Sequence, residues 1–297
     1  MPNVKLKNYL HLHFIVFIWG FTAVLGALIT IDAIPLVWYR MLMASGFIFI
    51  FIYIRKIPLK IPKRVLFGFL FAGLLIALHW LTFFKAIKVS NVSITLAMMS
   101  TGAFFTAIME PFFYKRKVIW YELFFGLVVI FGLLIIFNIE ADHTLGIIYG
   151  LISAFLSAVF SIINGKFAKE HNASVISFYE LLGGMGFISI YLALNGDFSI
   201  DLFKLPAMDW VWLVMLASVC TAYAFIASVA VMKYLSPYTV MLTINLEPVY
   251  GILLAFVVFG EKEQMSHEFY LGAVIILLTV IANGIVKNSK RLKSTLS

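Results

Sequence analysis

The chain alternates long apolar runs with short polar breaks. Ten such runs can be placed, at roughly residues 10–30, 36–54, 65–85, 91–114, 119–138, 145–165, 174–195, 209–232, 237–259 and 268–286. Each is close to the ~20 residues that a helix rising ~1.5 Å per residue needs to cross a ~30 Å hydrocarbon core. The first run has no small-x-small cleavage site and is expected to be a retained helix rather than a removed leader. The longest breaks, 55–64 and 196–208, are ordinary loops too short for a soluble domain. The pattern predicts an all-α integral membrane protein with ten transmembrane helices.

Composition narrows the class further. Of the 297 residues 63% are hydrophobic and only 12% charged, with a mean hydropathy of +1.04. A soluble domain carries about 45–50% apolar and 25% charged residues. The net charge of +8 is therefore not a nucleic-acid footprint. With the N-terminus inside, 17 of the 22 basic residues fall on inner segments: Lys5, Lys7, Arg55, Lys56, Lys60, Lys63, Arg64, Lys115, Arg116, Lys117, Lys166, Lys169, Lys233, Lys287, Lys290, Arg291 and Lys293. Most acids, among them Asp32, Glu140, Asp197, Asp209, Glu261 and Glu263, fall on outer loops or outer helix ends. This excess predicts both termini in the cytoplasm. The single cysteine, Cys220, excludes an internal disulfide and reads as a small packing residue.

The two halves are related. Tyr39 matches Tyr179 and Gly46-Phe47-Ile48 matches Gly186-Phe187-Ile188 at an offset of 140; Ser90 matches Ser236 and Gly126 matches Gly272 at 146. The matches keep one order along both halves. Two units of five helices each must insert in opposite orientations, the inverted-repeat design in which a site forms near the midplane at the repeat interface. The expected layout is a first repeat over 1–138, a second over 145–286 and a basic cytoplasmic tail over 287–297.

The most informative run is Thr239–Gly260. Glu247 lies near its middle, where an ionised carboxylate costs several kcal/mol unless paired, hydrated or protonated. Pro248 follows directly and is expected to kink the helix and free one or more carbonyls. Glu247 reads either as a structural acid bonded to a neighbouring helix or, the preferred reading, as the wall of a polar cavity.

The Ile18-Trp19-Gly20-Phe21 opening, Tyr39-Arg40 at the start of the second run, and Glu247-Pro248 followed by Phe259-Gly260-Glu261 resemble the drug/metabolite transporter superfamily, EamA-like branch. The resemblance covers essentially the whole chain. It implies a secondary exporter of small metabolites, typically amino acids or their derivatives, in the bacterial inner membrane. One departure stands out: at the 146 offset Glu247-Pro248 corresponds to Thr101-Gly102, so the first half lacks the acid. Glu110-Pro111, which looks similar, aligns with Phe256-Val257 and is read as an interfacial salt-bridge residue beside Lys115 and Arg116.

The other polar residues in the spans carry paired readings. Arg40 is placed either to clamp a substrate carboxylate with its planar fork or to snorkel to the outer interface. Glu180, at the mirrored position, is either a gate or relay acid or a partner of inner-face lysines. His79 is either a hydrogen-bonded packing residue or a proton relay to Glu247. Trp19, Trp80, Tyr223 and Tyr250 lie deep, where a ring with a polar tip suits a partly apolar substrate; the alternative is plain packing. Small residues Gly146, Gly150, Ala154 and Ala158 form a close-packing stripe. There is no HExxH, no GxSxG and no phosphate-binding glycine loop, so neither a membrane enzyme nor an ATP-driven pump is favoured. Nothing suggests the filter repeats or charge rings of a channel, and no cofactor or metal is expected. The chain is thus read as a monomeric or weakly dimeric exporter of amino acids or related metabolites, working by alternating access with protons as the candidate coupling ion. Export of lipophilic cations is the alternative.

Overall fold

The computed structural model describes residues 2–115, 120–139 and 141–296. Arg116, Lys117 and Glu140, used above to orient the chain, lie outside the described residues. In hydrocarbon each backbone N–H and C=O must be satisfied within its own segment, which selects helices for apolar runs of this length. The described residues are helical almost throughout: α1 (Pro2–Leu28), α2 (Ala33–Ile54), α3 (Lys63–Val89), α4 (Val92–Met99), α5 (Gly102–Tyr114), α6 (Trp120–Ile139), α7 (Thr144–Glu170), α8 (Ala173–Leu194), α9 (Ala207–Ala217), α10 (Ala224–Val231), α11 (Pro237–Ile244), α12 (Glu247–Phe259) and α13 (His267–Leu296). Three pairs form single spans: α4 with α5, α9 with α10 through a π-helical segment Ser218–Tyr223, and α11 with α12. That makes ten. Among the described residues eight spans are long and apolar enough to cross a membrane, and α6 and α13 contain the shorter apolar stretches Phe124–Ile136 and His267–Thr279.

The halves repeat one another in their element lengths. Helices α2 and α8 both have 22 residues and start 140 positions apart, at Ala33 and Ala173. The broken spans match more closely still: α4 and α11 have 8 residues, α5 and α12 have 13, and a two-residue break separates each pair. Positive backbone φ recurs in register. Lys56 (φ 50°) and Gly196 (φ 73°) end the α2 and α8 turns, and Lys115 (φ 52°) and Gly260 (φ 59°) follow α5 and α12. Each lies just past a helix end; Lys115 takes the left-handed helical conformation that commonly closes a last turn, whereas Gly260, with ψ −130°, reaches a region open to glycine alone. These boundaries set Glu247 opposite Gly102 rather than Thr101, one residue from the pairing that the 146 offset suggests.

Two cross-half hydrogen bonds are mirror images. The Tyr39 hydroxyl on α2 donates to the Leu202 carbonyl at 3.0 Å, and the Tyr179 hydroxyl on α8 donates to the Leu59 carbonyl at 2.9 Å. Each ties the start of one repeat's second span to a loop of the other repeat.

Packing follows the small residues. Helix α3 lies against both α7 and α8, and α2 packs on α8. At the α3–α8 crossing, a Cβ on Gly73 would overlap the Glu180 carbonyl and one on Gly184 would fall 2.7 Å from the Gly73 carbonyl, so only glycine permits this backbone contact. The stripe on α7 behaves likewise. Gly146 meets Ser90 and Gly150 meets Met98, bringing α7 onto the junction of α3 and α4. Helices α6 and α13 pair with each other at the side of the bundle.

Pro248 does not kink a continuous helix. The break falls before it, at Asn245–Leu246, and Pro248 sits in the first turn of α12, where a missing N–H leaves nothing unsatisfied. The first half breaks at Ser100–Thr101 without a proline there. The Ser100 and Thr101 hydroxyls donate back to the Ala97 and Met98 carbonyls at 2.6 and 2.7 Å, competing with the helical ladder at that point.

Candidate functional site

A cavity of about 670 Å³ of atom-free space, its mouth included, opens where the two halves meet. From the first half it is walled by Trp19 and Thr22 of α1, Arg40 of α2, His79, Trp80 and Phe83 of α3, and Met99 of α4. From the second half come Ser157, Phe160 and Ser161 of α7, Phe225 and Ser228 of α10, Met241 and Ile244 of α11, and Glu247 of α12. The wall is mostly apolar and aromatic with a few converging polar groups, the usual character of a small-molecule site.

Arg40 is not at the interface. It is 2% exposed, and its guanidinium carbon stands 3.7 Å from the centroid of the Trp80 ring. Stacking on an indole face is the best cation–π arrangement, and it removes the snorkelling reading. Its Nε donates to Thr221 Oγ1 at 2.7 Å, while Nη1 has no hydrogen-bond partner. The π-helical turn makes this possible. With one extra residue in the turn, the Thr221 hydroxyl donates to Leu216 O at 2.7 Å and is left as an acceptor for Arg40. The same turn points the Cys220 carbonyl at Trp19 Nε1, 3.2 Å away. Such π-turns are rare and cluster at functional sites.

Glu247 is the first residue of α12, immediately after the break, and is 8% exposed at the cavity wall. As the N-terminal residue of that half-helix it sits at the positive end of the α12 dipole, which favours a carboxylate. Asn245, in the break itself, is 1% exposed with both its amide atoms lacking partners.

His79 is tethered. Its Nδ1 lies 3.0 Å from the Ser153 carbonyl and 2.8 Å from the Ser153 hydroxyl, and that hydroxyl donates to the His79 carbonyl at 2.9 Å. A carbonyl only accepts, so Nδ1 carries the proton.

The cavity thus brings together Trp19, Arg40, His79, Trp80 and Glu247. Tyr223, Tyr250, Glu180 and Pro248 do not line it. Tyr223 is 44% exposed, with its hydroxyl 3.0 Å from His11 Nε2. Tyr250 packs its Cβ against Gly20 and its ring edge-on to Phe17. Glu180 pairs with Asn164 Nδ2 at 2.9 Å rather than with an inner-face lysine. Glu110 is likewise outside the lining. Thr22, at the cavity wall, and Thr221 and Asn245, beside it, are small polar residues that nothing in their apolar runs marks out. Ser157 and Ser161 stand next to the small-residue stripe of α7 and face the cavity rather than serving only as scaffold.

Comparison with known proteins places this architecture. The chain is similar to an uncharacterized transporter of Archaeoglobus fulgidus, 26% identical over 151 residues, which is 51% of this chain and 52% of that protein. The match therefore spans about half the length of the archaeal relative. It is also similar to an uncharacterized transporter of Bacillus subtilis, 23% identical over 224 residues, 73% of this chain and 69% of that one. A crystal structure at 14% identity superposes with a TM-score of 0.68 over 92% of this chain and 96% of its own, a likeness of fold. The EamA-like transporter family model matches twice, over residues 7–138 and again over 144–284. With ten apolar helical spans, one such match on each half and a cavity between the halves, the chain is a multi-pass membrane protein and belongs to the EamA-like transporter family.

Proposed function

We propose that the chain is a secondary active transporter that exports amino acids or closely related zwitterions across a bacterial inner membrane, with a proton exchanged at Glu247. One observation carries this reading: the same cavity holds a guanidinium with an unspent donor and, from the other half, a carboxylate, between aromatic walls. An α-amino acid is the complement. Its carboxylate fits the free Arg40 Nη1, its ammonium fits Glu247, and an apolar side chain fits Trp19, Phe160 and Phe225. Lipophilic cations would use the aromatic wall and Glu247 alone, but a buried guanidinium beside them would repel a second positive charge.

Alternating access follows from an inverted pair of repeats rocking about a central site. The equal lengths of matched elements, the positive-φ residues at matched positions and the corresponding Tyr39 and Tyr179 bonds support that arrangement. So does the five-span count per half, since an odd count reverses the second unit.

Two measurements test the proposal. A thermal-shift screen on the purified protein should find amino acids with apolar side chains raising the melting temperature. At a hundred times Kd the gain is about 2.7 kcal/mol, roughly 4 °C for a chain of this size. A shift by quaternary cations alone would replace the substrate assignment. The orientation is tested by single cysteines, against the low background of buried Cys220. One placed within Asn195–Asp201 should label with an impermeant maleimide in intact cells, and one within Lys115–Lys117 should not. Reversed labelling would overturn the placement of both termini in the cytoplasm.

A further inference from the structure

Beyond the cavity wall the bundle buries a second polar group that substrate binding does not use. Glu180 of α8 is 0% exposed, and so is Asn164 of α7, whose Nδ2 donates to Glu180 Oε1. The other half of each side chain is left over: Glu180 Oε2 and Asn164 Oδ1 have no hydrogen-bond partner. One turn away on each helix, Ser177 of α8 (0% exposed) and Ser161 of α7 (3%) bury hydroxyl oxygens that also lack partners. No basic side chain among the described residues pairs with Glu180. Helix α3 closes the crossing, with Gly73 against the Glu180 backbone.

A carboxylate left unpaired some 10 Å inside a helix of 1.5 Å rise per residue is strongly disfavoured unless something neutralises it. The leftover atoms say what that something is. All four are oxygens, one of them anionic, and oxygen sets of this kind suit hard cations rather than soft ones. A proton on Glu180 Oε2, donated to Asn164 Oδ1, would satisfy those two atoms and leave both serine hydroxyls over, whereas a cation can take all four as ligands. The charge count favours a monovalent ion, since a divalent one would leave an uncompensated positive charge in the interior.

We propose that Glu180, Asn164, Ser177 and Ser161 form a sodium-ion site between α7 and α8, where α3 packs against both. Ser161 also lines the substrate cavity, so the ion lies within about one helical turn of it and braces its second-half wall. The site is separate from Glu247, and its test does not depend on which substrate is carried.

The test is the melting temperature of the purified full-length protein in detergent, with sodium chloride exchanged for potassium or choline chloride at constant ionic strength. Sodium should raise it saturably, by roughly 2 °C at about ten times the half-saturating concentration, and the other two salts should not. Glu180→Gln should weaken half-saturation by about tenfold or more, and Glu247→Gln should leave it unchanged. Should Glu180→Gln fail to fold, Asn164→Ala and Ser177→Ala, which keep the carboxylate, must each still weaken the sodium response. The proposal is overturned by equal shifts in choline, by a sodium response that survives these substitutions, or by a wild-type protein stabilised by acid and never by sodium.

Discussion

Glu247→Gln is expected to fold, bind substrate weakly and transport with a flat pH profile. The reason lies in the position of the side chain. It is buried at the cavity wall, on the first turn of α12, with no lysine or arginine in hydrogen-bonded contact among the described residues. If the carboxylate receives the substrate ammonium, protons compete for the same oxygen pair. Substrate affinity of the wild type should therefore fall on acidification, by at most about tenfold per pH unit, the slope of one bound proton. Glutamine is the neutral isostere of the protonated state. It should hold affinity at the low-pH level throughout, because neither form of the site can then present a negative charge. The measurement is efflux from proteoliposomes, with external pH stepped from acid to neutral and substrate held below saturation. A variant that transports with the wild-type pH profile would make Glu247 a structural acid and leave the proton step without a residue.

Much of the architecture was legible from the chain because hydrocarbon imposes one rule on every span. Ten apolar runs appear as ten helical stretches, with boundaries displaced by a few residues and by more at the two ends of the chain, where α1 begins at Pro2 and α13 runs on to Leu296. Depth could be counted from the run ends, which set Glu247 near the middle. Facing could not be read. A helix that is apolar all round shows no stripe that distinguishes lipid from cavity, so Tyr223 and Tyr250 looked as deep as Trp19 and Trp80. Only the packing separates them, through the glycine contact at Gly20 and the exposure of Tyr223.

Arg40 illustrates a different limit. Its distance from the end of its run allowed snorkelling, and its stacking partner lies 40 residues away on α3. The Thr221 contact depends on a π-turn, which leaves no mark in a run of Ser, Val, Cys, Thr, Ala and Tyr. Pro248 misleads in the opposite direction. Proline is the strongest breaker in the chain, yet the equivalent break in the first half occurs at Ser100–Thr101 without one. The break therefore belongs to the repeated fold, and Pro248 opens the half-helix that follows it.

The larger effect is expected at Arg40. In Arg40→Ala, transport of zwitterionic substrates should fall by roughly thirtyfold or more, since truncating one member of a buried, hydrogen-bonded charge pair costs about 2–5 kcal/mol. Three contacts would be lost together: the fork offered to the carboxylate, the stacking on Trp80 and the bond to Thr221. Arg40→Lys separates charge from geometry. It retains the positive charge in the cavity but not the planar donor pair, and the tetrahedral donors of an ammonium do not match the two oxygens of a carboxylate as a guanidinium fork does. Lysine should therefore recover part of the affinity and little of the discrimination between amino acids and their amides. Cells overexpressing the wild type should resist toxic amino-acid analogues, and those carrying Arg40→Ala should not, at matched protein levels and matched melting temperatures. The rival reading predicts the reverse. For a lipophilic cation the guanidinium is an obstacle, so Arg40→Ala would transport quaternary ammonium compounds as well as the wild type or better. Resistance to such cations that is indifferent to Arg40, with none to amino-acid analogues, would assign the cavity to cations and reduce Arg40 to a packing residue on Trp80.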